Sequence, residues 1–122
     1  MTLRRSRRFA VIVFAALSVL LLPAVSQSET VRMKATDSRR WNPDFKHIEP
    51  GSKIVWRNPT SLTHTVTAYG GRWTKDTRLT PGTGTSKIFK RQGVYKFRCK
   101  KHSTVSDGNC NGMCGVVHVE KY

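Results

Sequence analysis

Five short segments of this chain alternate apolar and polar residues with a period of two, and turn residues separate them. Residues 30–36 place Val31, Met33 and Ala35 on one side. Residues 53–58 place Ile54 and Trp56, after the turn Glu49-Pro50-Gly51-Ser52. Residues 64–69 place Val66 and Ala68. Residues 93–99 set Tyr95, Phe97 and Cys99 against Lys96, Arg98 and Lys100, and residues 115–119 close the chain. Period-two segments punctuated by Gly, Pro and Asn predict an antiparallel β-sandwich or barrel. Residues 37–45 and 70–85 show neither period and read as loops or irregular edges. No repeat or low-complexity segment interrupts the pattern.

The first 26 residues read differently. Arg4, Arg5, Arg7 and Arg8 form a basic start, residues 10–22 form an apolar run, and Ala24 and Ser26 are small residues at cleavage-specifying positions. This is the pattern of a secretory signal peptide cut after Ser26. The apolar run is short for a membrane span, which disfavours an uncleaved anchor. The expected division is residues 1–26 as signal peptide and 27–122 as one folded domain, exported to the cell envelope, periplasm or exterior. Four of the 22 Lys and Arg and none of the seven Asp and Glu lie in the leader, so residues 27–122 carry a net charge of +11. Such a surface favours acidic partners or an anionic envelope surface, and export argues against nucleic acid.

All three cysteines lie between residues 99 and 114. Cys99 shares a face with Tyr95 and Phe97, so it points toward the core near the end of its strand. A buried thiol there is either an inert core residue or a ligand. His102 follows after two residues, Met113 lies further on, and His64 opens a strand able to lie beside the one ending at Cys99. His64, Cys99, His102 and Met113 offer two imidazoles, a thiolate and a thioether. Soft sulfur stabilises Cu(I), and imidazole accepts both oxidation states. Two His and a Cys in a plane with a weak axial Met is the blue-copper arrangement.

These residues stand in segments that resemble the cupredoxins of the plastocyanin and halocyanin type. The segments are FKHIEPGSKIVWRN (45–58), SLTHTVTA (61–68), GVYKFRCKKH (93–102) and GMCGVVHV (112–119), in that order. The resemblance covers most of residues 27–122. It implies a Greek-key β-sandwich, one copper ion held by His64, Cys99, His102 and Met113, and single-electron transfer rather than enzymatic catalysis. The chain departs from the pattern at one place. Relatives carry Met a few residues after the second His, whereas here ten residues separate His102 from Met113, and Cys110 lies among them.

Cys110 and Cys114 bracket Met113. In an exported protein two thiols at this spacing are expected to form a disulfide, across a helical turn or tight loop, leaving Cys99 free for the metal. A zinc module binding nucleic acid through Cys99, His102, Cys110 and Cys114 fits no common zinc spacing. Cys110, Cys114 and His118 match the Cys-x3-Cys-x3-His of the binuclear copper centre of cytochrome oxidase subunit II, but Lys121 stands where that pattern needs Met. His47 and His118 otherwise read as surface or strand histidines, Trp56 as core, and Trp41 and Trp73 as packing for the sandwich ends. Lys100 and Lys101, between two candidate ligands, are the expected docking residues for an acidic redox partner of a monomeric carrier. A copper carrier or storage module without electron transfer is the alternative.

Overall fold

The computed structural model describes Thr2, residues 10–20 and residues 27–122. Residues 10–20 have no regular secondary structure and are exposed. The leader's four arginines and its cleavage residues Ala24 and Ser26 lie outside the described residues. Among the described residues, no helix is long and apolar enough to cross a membrane.

Strands follow one another from Thr30 onward: β1 (Thr30–Ala35), β2 (Trp41–Asn42), β3 (Phe45–Ile48), β4 (Ser52–Arg57), β5 (His64–Tyr69), β6 (Asp76–Leu79), β7 (Gly84–Phe89), β8 (Gly93–Ser106) and β9 (Asn109–Val119). One sheet has the order β2-β1-β4-β7 and the other β3-β9-β8-β5-β6. The chain changes sheet repeatedly, as a Greek-key sandwich requires. The fold is all-β, as the alternation predicts.

The inward faces close around Trp56, which is fully buried. Its ring meets Phe97 edge-on at 5.3 Å and Phe89 at 6.4 Å, while Trp41 packs edge-on against Phe97 at 5.9 Å. Such aromatic pairs stabilise by about 0.5–1.5 kcal/mol beyond their buried area. Met33, Ile48, Ile54, Val66, Val117, Val119, Cys99 and Met113 complete the core.

Two expectations need correction. The sandwich is not wholly antiparallel: β1 runs parallel to β4, and β3 runs parallel to β9. Residues 37–45 and 70–85 are not wholly irregular either, since they contain β2, β6 and the start of both β3 and β7. All four of these strands lie at sheet edges. Edge strands β6 and β7 each bury one residue, Leu79 and Phe89, which is too little to write a period.

Phe97 has room for its ring because Gly115 stands directly across from it on β9. A Cβ on Gly115 would run into the Phe97 ring. Gly115→Ala is expected to destabilise the fold by about 1–3 kcal/mol through overpacking. The check is the midpoint of urea denaturation; adding Phe97→Leu to Gly115→Ala should recover part of the loss.

Candidate metal centre

β8 and β9 form one long hairpin with a single break in register. Arg98 pairs with Cys114, and the next pair is Ser103 with Gly112. Four residues of β8, Cys99 to His102, therefore face one residue of β9, Met113. A bulge of this kind bends its strand and re-aims side chains. Here it points the Cys99 sulfur inward and returns His102 to the same place three residues later. Ser103 Oγ donates to the Cys99 carbonyl at 2.6 Å, and Arg98 Nη1 donates to the Ser103 carbonyl at 3.3 Å. These bonds tie the two ends of the bulge together.

Beyond the bulge the ladder resumes from Ser103 to Ser106 and turns at Asp107-Gly108, both with positive φ. An Asp-Gly pair favours this hairpin turn. The ten residues between His102 and Met113 are thus a closed hairpin that brings the chain back opposite the bulge.

Cys110 and Cys114 are joined in a disulfide, with Cα atoms 6.1 Å apart. They lie on a bent strand, not on the helical turn or tight loop expected. Four residues of extended strand would span roughly 13 Å, so β9 folds sharply between them. The corner is Gly112, whose φ of 110° suits glycine. A Cβ there would strike the carbonyl oxygen of His102. The disulfide uses both thiols. This removes the zinc set and the binuclear copper set, each of which needs Cys110 and Cys114 as thiolates.

Opposite the bulge, β5 supplies His64 at its first residue. Three donor atoms converge. His64 Nδ1 lies 3.2 Å from His102 Nδ1, and Cys99 Sγ lies 3.8 Å from His64 Nδ1 and 3.5 Å from His102 Nδ1. The point equidistant from all three is about 2.0 Å from each, close to bond lengths from first-row metals to nitrogen and sulfur. The donor set therefore fits a single metal ion. His64, Cys99 and Met113 are fully buried and Cys99 is the free cysteine, while His102 is partly exposed.

Hydrogen bonds fix the state of the donors. The Thr60 N–H donates to Asn58 Oδ1 at 3.0 Å, which orients the Asn58 amide; its Nδ2 donates to the Leu62 and Leu79 carbonyls at 2.7 and 2.9 Å. The Thr60 hydroxyl then donates to Asn58 Oδ1 at 2.6 Å and accepts from His64 Nε2–H at 3.0 Å. His64 is thereby held as the Nε2–H tautomer, with the Nδ1 lone pair facing Cys99 and His102. Burial, then His102 and Arg39, hold the His64 pKa below the ordinary histidine value. Burial, then Arg39 and Lys101, lower that of His102. Both rings favour the neutral form that binds metals. The Thr65 N–H donates to Cys99 Sγ at 3.3 Å, and Thr65 Oγ1 accepts from the Lys100 N–H at 2.9 Å. The sequence alone did not single out Asn58, Thr60 or Thr65. The spacing Asn-Pro-Thr-x3-His is the signal that could have found two of them.

Lys100 and Lys101 differ. The Lys100 ammonium pairs with Asp76 at 2.7 Å. The hydrogen bond from Lys100, then that from Thr67, keeps the Asp76 carboxyl below the usual range. Lys101 is exposed, and its charge is felt at His102.

A reduced amicyanin variant aligns over 75% of this chain and 82% of its own, with a TM-score of 0.62 and 20% identity. A purple cupredoxin from Nitrosopumilus maritimus aligns over 74% of this chain and 99% of its own, with a TM-score of 0.58 and 18% identity. The chain has the cupredoxin fold. A copper-containing nitrite reductase from Thermus scotoductus carries the same fold within a larger chain: it aligns over 76% of this chain and 23% of its own, at a TM-score of 0.62 and 17% identity. No protein-family model matches the sequence, and no curated protein does.

Thr60→Val keeps the shape of this corner of the cupredoxin fold but removes the acceptor for His64 Nε2–H. Metal affinity is expected to fall roughly 10–100-fold. Competition for copper against a chelator measures this, and retention of full affinity would show that Thr60 does not set the ring.

Proposed function

We propose that the protein is an exported, mononuclear type 1 copper protein that carries single electrons between larger redox proteins. One observation carries the reading: two imidazole Nδ1 atoms and one thiol sulfur are held around a common point in the core, with a buried methionine across the bulge. His64, Cys99 and His102 would hold copper, with the Met113 thioether as the weakest donor. Copper bound there would supply a one-electron couple between Cu(I) and Cu(II).

The chain's own residues supply the rest. Thr60 and Thr65 keep the donors in place, so little has to move when charge changes. Burial of His64, Cys99 and Met113 excludes water from most of the site. His102, the partly exposed ligand, is the short route from the site to the surface. On this reading the protein is an electron carrier and not an enzyme. The Cys110–Cys114 disulfide supports an oxidising compartment outside the cytoplasm, in keeping with a signal peptide at residues 1–26. The folded copper domain is then residues 27–122, acting as a monomer. Its net +11 surface suits an acidic redox partner or an anionic envelope surface. Because Asp76 neutralises Lys100, Lys101 and Arg39 beside His102 are the stronger docking charges.

Loading with Cu(II) is expected to give an intense blue absorption from the Cys99 thiolate, and Cys99→Ser should abolish it. A Cys99→Ser protein that stays blue overturns the ligand set. Reversible cycling with copper retained in both oxidation states separates an electron carrier from a copper-storage module, which would release the ion on reduction. Met113→Leu should keep copper and colour but raise the reduction potential, since losing a weak donor destabilises Cu(II) more than Cu(I). Lys101→Glu should slow electron transfer to an acidic partner at low salt and leave the spectrum unchanged. Salt should erase the difference, because the Debye length falls to about 8 Å at physiological ionic strength.

A further inference from the structure

A second group of donor atoms lies at the other end of β9. His47 on β3 is in register with His118 on β9, and the two rings stack 4.8 Å apart at an angle of 11°. Glu120, just past β9, brings Oε2 to 3.5 Å from His47 Nε2 and 3.6 Å from His118 Nε2. All three atoms lie within 4.8 Å of one another. From Met113 to His118 is five residues of strand, roughly 17 Å, so this cluster is separate from the centre at Cys99.

These spacings do not describe hydrogen bonds. N–H···O bonds in proteins run about 2.7–3.2 Å, and both distances are longer. His47 Nε2 is shut off from solvent and has no hydrogen-bond partner. Tyr122 covers that ring at 4.6 Å. Leaving a buried polar atom unpaired is costly, so its orphan state calls for a ligand. Donors about 2.1 Å from a shared ion and at tetrahedral angles lie about 3.4 Å apart, close to the two nitrogen-to-oxygen separations, while the two nitrogens lie within 4.8 Å of each other.

We infer that His47, His118 and Glu120 form a second metal site, for a divalent first-row cation such as Zn²⁺. Two imidazoles and a carboxylate suit zinc, with the remaining position left to water. The site lacks the soft sulfur that selects Cu(I). A bound ion would tie edge strand β3 to β9 and to the C-terminal residues. It would also give His47 Nε2 the partner it lacks.

The test is calorimetric titration of the copper-preloaded protein with Zn²⁺, followed by absorption at the blue band and by NMR of the histidine rings. The expected result is one Zn²⁺ per chain beyond the copper, with shifts at His47 and His118 but not at His64 or His102. Glu120→Gln and His118→Gln should each weaken zinc binding by at least about tenfold and leave the blue band intact. Both variants change partly exposed residues, and the unchanged band reports that each has folded. Absence of a second equivalent overturns the inference. So does zinc binding that survives His118→Gln but is lost in Cys99→Ser, which would place the ion at the first centre. Should the protein fail to bind copper at all, zinc titration of Cys99→Ser still decides the second site by itself.

Discussion

The structure depends on holding three electron-rich atoms almost in contact inside a hydrophobic core. Two imidazole nitrogens and a sulfur stand 3.2–3.8 Å apart, where at most a shared proton can relieve them. Without a metal this arrangement is costly, because buried polar atoms need partners. The surrounding chain commits its own polar groups to support it. Asn58 braces Thr60, Thr60 fixes His64, Thr65 donates to Cys99, and Ser103 closes the bulge. These bonds come from the β4–β5 connection, β5 and β8. The site therefore cannot loosen without disturbing the sandwich, a rigidity that suits the proposed one-electron role.

How far this was legible in the sequence follows from where each residue sits in the sheets. The strands read from alternation, β1, β4, β5, β8 and β9, are all interior to their sheets. Each has one face against the core, and that face writes the period. The strands missed, β2, β3, β6 and β7, are all edges, and β6 and β7 bury one residue apiece. Alternation placed Cys99 on the core face beside Phe97, and it is fully buried there. The gathering of His64 with Cys99 and His102 rested on the family resemblance and on donor chemistry, since no local pattern tells which strands will be neighbours. Thr60 and Thr65 left no trace in the alternation for a related reason. A threonine braces a ligand through one hydroxyl or one backbone N–H, and neither role leaves a mark on periodicity.

His47 and His118 show the same limit from the other side. Each was read singly as a strand or surface histidine, and each is one. Only the parallel register of β3 with β9, a pairing that period-two reading did not provide, sets them side by side. Their stacking places two nitrogens at the pole opposite Cys99, where the chain offers harder donors. One short protein thus presents a soft, buried set at one end of β9 and a borderline, half-exposed set at the other. Ligand softness and solvent access would keep their preferred ions apart.

The spacing of ten residues between His102 and Met113 loses its difficulty once register replaces sequence distance as the measure. Ser103 pairs with Gly112, so the extra residues close on themselves before they reach the centre. Lengthening such a hairpin costs little, since loop-closure entropy grows only with the logarithm of length. What has to be conserved in space is the corner. β9 must turn within the two residues between Cys110 and Met113 that end at Gly112, tight against the His102 carbonyl. The disulfide spans that corner, tying Cys110 on the added hairpin to Cys114 on the sandwich side. It fixes the angle between the two halves of β9, and Met113 lies between the linked residues. The hairpin, the glycine and the cystine together set where Met113 stands, opposite the bulge that carries Cys99 and His102, while the chain in between goes elsewhere.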